Sequence, residues 1–104
     1  MRSKEIAAEY KKRLLDVFGD EIVSVIVFGS VARGQDTSDS DIDVMVVFKT
    51  DDDHHARWET AGQIAADVSF EFDTLIGVLV TGQHLMASWN SPLYMNIRKE
   101  GVSL

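Results

Sequence analysis

The amino-acid sequence predicts a small α/β (α+β) domain, a mixed β-sheet flanked by helices, and three observations predict it. Short runs of β-branched residues alternate with longer segments whose apolar residues recur three and four apart. The 104 residues, 45% of them hydrophobic, suffice for one modest core and leave no room for a second domain. Neither an internal repeat nor a linker-like stretch divides residues 1–104.

Each element has its own local signal. Ser3 can cap a first helix in which Ile6, Tyr10, Leu14, Val17 and Phe18 form the packing face; "KKR" (11–13) stays wet and Gly19 supplies the stop. "IVSVIVF" (22–28) is β-branched and too short for a helix, so it reads as a buried strand ended by Gly29 and Ser30. "DIDVMVVF" (41–48) is a second strand. After the acidic turn "TDDD", whose residues 51–53 read as a cap, Trp58, Ala61, Ala65 and Val68 keep the spacing of a helix reaching about Val68. A third strand falls within residues 70–80. Thr81 caps a short helix through Ser88, and Ser91 with Pro92 starts "LYMNIRKE", which stops at Gly101.

Composition narrows the function classes. Ten basic against 17 acidic residues give a net charge of -7, the wrong sign for holding free DNA or RNA. The absence of cysteine excludes a disulfide framework and thiolate metal sites. The start "MRSKEIAAEY" has no signal-peptide core, and the longest apolar runs fall far short of the roughly 20 residues that span a bilayer. The expectation is a soluble cytoplasmic protein with no membrane association.

The chemistry is concentrated in residues 27–48. Alternation along the second strand puts Asp41, Asp43, Met45 and Val47 on one face and Ile42, Val44, Val46 and Phe48 on the other. Two carboxylates on a buried face are costly unless something compensates them. Either the strand lies at a sheet edge with its aspartates in solvent, or the pair holds a hard divalent cation such as Mg2+. The preceding turn favours the cation: Gly29 lets backbone approach an anion, Ser30 adds a hydroxyl and an amide at a helix start, and Arg33 supplies a guanidinium.

A hydrophobic residue, Gly29-Ser30, ten intervening residues and then Asp41-Ile42-Asp43-Val44 resemble the signature of the DNA polymerase β-type nucleotidyltransferase superfamily. "GSVARG" and "SDSDIDVMV" are especially similar to its minimal nucleotidyltransferase (MNT) branch, and "SPLYMNIRKEGVSL" is similar to endings common in minimal members. The resemblance implies a single minimal nucleotidyltransferase domain. It would move a nucleoside monophosphate, AMP from ATP by family expectation, from a nucleoside triphosphate to an acceptor hydroxyl at a two-metal site. Gly29 and Ser30 would hold the triphosphate, with Arg33 beside them; Asp41 and Asp43 would ligate Mg2+.

The family pattern has a third carboxylate in the middle of a strand. Here the expected strand reads "LIGVLV", with Gly77 in its middle. Asp73, or else Glu71, serves if the strand begins early, since residues 71, 73, 75 and 77 then share a face; a solvated strand entrance is the other account. The resemblance further implies a HEPN-type toxin as partner, with a tyrosine near its RNase site as acceptor and the MNT protein as antitoxin. A non-catalytic antitoxin that neutralises by contact is the alternative, and a small-molecule acceptor a third. His54 and His55 read as solvated helix-start residues, Trp58 and Trp89 stay unassigned, and Leu93, Tyr94 and Ile97 either pack internally or form a partner or oligomer surface.

Overall fold

The computed structural model describes residues 3–37 and 41–104. The first helix, α1 (Ser3–Phe18), passes through a tight 3-10 turn at Gly19–Glu21 into β1 (Ile22–Phe28). Next come β2 (Ile42–Phe48), α2 (His54–Glu71), β3 (Ile76–Gly82), α3 (Gln83–Ser88), α4 (Pro92–Glu100) and β4 (Val102–Ser103). The sheet order is β3-β2-β1-β4. β1 runs antiparallel to both β2 and β4, while β2 and β3 are parallel and joined by the crossover helix α2.

Burial explains why these runs become strands. One face of the sheet, with Val25, Val27, Val44, Val46 and Phe48, packs under Tyr10 and Leu14 of α1 and under Ala61, Ala65 and Val68 of α2. The Tyr10 hydroxyl donates to the Ala61 carbonyl at 2.8 Å, tying the two helices together. On the other face Met45 and Val47 meet Met86 of α3 and Tyr94 and Ile97 of α4. The sequence pattern therefore assigns both faces of β2 correctly, and Tyr94 and Ile97 pack internally. β2 is central, with β1 and β3 on its two edges, which rules out the edge-strand account of Asp43; Asp41 stands exposed just before the strand.

Several local expectations are corrected. Val17 is 58% exposed rather than packed, and Phe18 takes the inward place at the end of α1, edge-on to Phe48 at 5.0 Å. The "KKR" segment is partly engaged: Arg13 pairs with Glu9 and Glu71, and Lys11 donates to the Leu104 carbonyl. α2 continues to Glu71, three residues past Val68. Asp53 stands at its start with φ 52° and makes no capping bond through its side chain. β3 runs to Gly82 because its pairing with β2 continues to Phe48↔Gly82. Thr81 caps nothing: it is buried in that strand and its hydroxyl accepts from Tyr94 Oη at 2.8 Å, leaving Gly82 at the start of α3.

The start of α4 is as expected, with Ser91 Oγ accepting from the Tyr94 amide at 3.2 Å and Pro92 in the first turn. Gly101 ends the helix for a reason of space. Its φ of -65° suits any residue, but an added Cβ would lie 2.6 Å from Ile26 Cγ2 and 2.5 Å from the Ile97 carbonyl. That close approach seats β4 beside β1, an edge strand that periodicity did not reveal.

Ser91→Ala is expected to remove about 1 kcal/mol from the unfolding free energy. Urea titration checks it, with a lower midpoint and an unchanged slope.

Candidate active site

The site forms where β1 ends and β2 begins. Phe28, the last residue of β1, is paired with Asp43, and the chain then turns sharply through Gly29 at φ 74°. A Cβ on Gly29 would lie 2.5 Å from Asp43 Oδ2, so only glycine fits beside that carboxylate. The turn is closed by Arg33 N donating to the Gly29 carbonyl (3.2 Å), Gly34 N to Val31 (3.1 Å) and Gln35 N to Ser30 (2.9 Å), and the Val31 side chain is buried as its anchor. Ser30 therefore stands in a single hydrogen-bonded turn and not at the start of a helix, the one point on which the expected phosphate loop is corrected.

On its other side Asp43 is paired with Gly77 of β3, and a Cβ there would approach Asp43 Oδ1 to 3.5 Å. The carboxylate thus lies between two glycines. Asp41 is exposed immediately before β2. Burial raises the proton affinity of the Asp43 carboxyl above the usual carboxylate range, the nearby charge of Asp41 raises it further, and the Arg33 guanidinium pulls it back. Arg33 Nε donates to Gln35 Oε1 at 3.3 Å, and its Nη1 is 3.7 Å from Glu100 Oε2 at the end of α4.

Gly29, Ser30, Arg33, Asp41 and Asp43 are thus brought together as the sequence predicts. The third carboxylate is not. Asp73 lies in the turn after α2 at φ 50°, outside β3, because parallel pairing begins only where Ile42 N meets the Leu75 carbonyl at 2.8 Å. Glu71 ends α2 and accepts from Arg13 Nη2 at 2.7 Å. Gly77 occupies the position facing Asp43. Among the described residues no group of three or more His, Cys, Asp or Glu is placed to hold a metal ion. His54 and His55 are solvent-exposed, with His55 Nε2 3.0 Å from Glu59. Ser38, Asp39 and Ser40 of the "SDSDIDVMV" motif lie outside the described residues. Sequence reasoning missed Gln35 and Glu100 as neighbours of Arg33; the only signal for Glu100 was its place in the "EG" ending.

Chemically, two adjacent carboxylates in a cradle without side chains on either flank suit a divalent cation that completes its shell with water and phosphate oxygens. The turn at Gly29 leaves backbone open to an anion, with Arg33 as counter-charge.

Comparisons with known proteins agree with this geometry. The family model described as "Polymerase beta, Nucleotidyltransferase" matches residues 8–89. A Methanocaldococcus jannaschii protein named as a protein adenylyltransferase is 31% identical over 85 residues, 82% of this chain and 85% of that protein. An aminoglycoside nucleotidyltransferase (4') of Staphylococcus aureus is 32% identical over 72 residues, 69% of this chain, and the chain spans only 28% of that enzyme's length. Among solved structures, a toxin-antitoxin complex with AMP-PNP superposes with a TM-score of 0.64 at 22% identity, covering 91% of this chain and 69% of that one. The MNT antitoxin complexed with a tri-AMPylated HEPN toxin of Shewanella oneidensis gives 0.60 at 19% identity, with 98% and 71% covered. At these identities the structures establish the fold.

Gly29→Ala is expected to combine a disfavoured φ with a clash on Asp43 Oδ2, lowering stability by about 1 kcal/mol or more and displacing the carboxylate. Urea unfolding and a crystal structure of the variant check both effects. Asp43→Asn is expected to stabilise the fold at neutral pH. A carboxyl with a raised folded value is charged at a cost in the fold above that value, and the cost fades as pH falls from it toward the usual carboxylate range. Urea midpoints of the two proteins are therefore expected to differ at pH 7 and to converge in acid.

Proposed function

Since the chain belongs to the polymerase beta nucleotidyltransferase family, we propose that it transfers AMP from ATP to a hydroxyl of another protein, a tyrosine of a HEPN-type toxin, and so acts as that toxin's antitoxin. The observation that carries this reading is the pairing of Asp41 and Asp43 beside the open turn of Gly29 and Ser30, with glycine on both flanks of the Asp43 carboxylate.

The two curated relatives point to different acceptors. The aminoglycoside enzyme extends far beyond the matched region, whereas the protein adenylyltransferase is matched over most of its length, so it is the better guide to acceptor class. A fold shared with an MNT antitoxin on an AMPylated HEPN toxin supports the same partner. A cytoplasmic location belongs to this proposal; among the described residues no helix is long and apolar enough to cross a membrane.

Asp41 and Asp43 would hold Mg2+, which when bound neutralises phosphate charge and orients the phosphoryl oxygens. The chain's own part is positioning. Gly29 lets backbone approach the triphosphate, the Ser30 hydroxyl and amide offer donors to it, and Arg33 contributes positive charge. In the transfer the acceptor oxygen bonds to the α-phosphorus of ATP, the α–β phosphoanhydride bond breaks to release pyrophosphate, and the hydroxyl proton passes to water.

Gly77 favours a second reading, a non-catalytic antitoxin acting by contact, because no carboxylate from β3 joins Asp43. One experiment separates the two. The native chain, co-expressed with its toxin, is expected to leave the toxin carrying AMP by intact-mass spectrometry. The Asp41→Asn, Asp43→Asn double variant is expected to reduce that modification by about 10²-fold or more and to lose protection. Protection without AMP from the native chain, or full protection by the double variant, supports the contact reading instead.

A further inference from the structure

Arg33 is held in place from outside its own loop. Its Nη1 lies 3.7 Å from Glu100 Oε2, and both side chains are about half exposed. Its Nε is engaged by Gln35, and its charge acts on Asp43. The other arginine near the end of α4 is turned elsewhere: Arg98 donates to the carbonyls of Met86 and Trp89 at 2.8 Å.

The four residues after Glu100 fix its position. Gly101 lies against Ile26 with no space for a Cβ, and its amide donates to the Ile97 carbonyl at 2.8 Å. Val102 and Ser103 then pair with Val27 and Ile26, and Leu104 N donates to the Val25 carbonyl at 2.9 Å. The strand that ends at the glycine turn therefore also anchors the carboxylate that faces Arg33. β4 brings the end of α4 to the nucleotide loop.

We propose that Glu100 is a positioning residue that competes with nucleotide phosphates for Arg33, so that the end of α4 sets how tightly the site holds its nucleotide. This rests on the nucleotide site proposed above. An exposed ion pair of this length is weak in water, and a triphosphate offers the guanidinium more charge and bidentate oxygens. Arg33 therefore exchanges Glu100 for phosphate when nucleotide binds. Before nucleotide arrives, the same carboxylate holds Arg33 beside the site without leaving its charge uncompensated.

The test is calorimetric titration of ATP with Mg2+ into the native chain, Glu100→Gln, Arg33→Ala and the double variant, with urea midpoints measured alongside. Glu100→Gln is isosteric and is expected to tighten ATP binding about threefold with an unchanged midpoint. Arg33→Ala is expected to weaken binding about tenfold. Glu100→Gln is expected to change nothing further in the Arg33→Ala background, a dependence that a merely structural role for Glu100 does not produce. Equal or weaker binding by Glu100→Gln overturns the proposal, and so does tightening of the same size without Arg33. If the native chain binds no nucleotide, the proposed nucleotide site falls and this inference with it; native binding unaffected by Glu100→Gln removes this inference alone.

Discussion

Asp43 carries its carboxylate on a central strand, at a place where burial and the charge of Asp41 both raise its proton affinity, and the surrounding structure is arranged around that desolvation. A buried carboxylate with apolar neighbours pressed against it would be neutral and useless as a cation ligand. Here each flank is a glycine, Gly29 beside β1 and Gly77 in β3, so neither places a side chain against the oxygens, and Asp43 is only half-buried. Arg33 supplies a positive charge that acts on it. Under the proposed function, a bound cation would relieve the strain that this raised proton affinity represents.

The same constraint divides β2 along its length. From Met45 onward the face that carries the aspartates is closed by Met86, Tyr94 and Ile97, and at Asp43 it is open. Helices α3 and α4 make that division. Ser91 starts α4, Tyr94 is bound to Thr81 beneath it, and Gly101 ends it against Ile26. How far α4 reaches along the sheet decides how much of this face it covers. The β-strand after α4 fixes that distance by pairing with β1.

How much of this was legible in the sequence depended on whether the signal was local. The strand alternation of residues 41–48, the glycine-serine turn and the Ser91-Pro92 helix start are local patterns, and each is found where the residues indicate, except that β2 begins at Ile42 and leaves Asp41 just outside it. Position 73 failed because it needed the start of a strand, which is set by where Ile42 and Leu75 meet across the sheet rather than by anything in "FEFDT". Thr81 misled for a related reason: a threonine before a helix resembles a cap, but parallel pairing carried β3 through it and buried it against Tyr94. The two-residue β4 and the approach of Glu100 to Arg33 join residues far apart in the chain, and no periodicity encodes them.

Gly77 also bears on the acceptor. Where a carboxylate from a neighbouring strand would help take a proton from the attacking hydroxyl, this sheet presents only a backbone and the oxygens of Asp43. The demand on that base depends on the acidity of the acceptor. A phenol ionises near pH 10, whereas the pKa of water is about 15.7, so a tyrosine requires far less assistance than a hydroxyl of water-like acidity. Under the proposed transfer, a site with two carboxylates and a glycine in the third place is thereby matched to an acidic hydroxyl. On that reading the glycine in the third place would narrow the acceptors to acidic hydroxyls, and it spares an incoming triphosphate one more negative charge on a chain whose net charge is already -7.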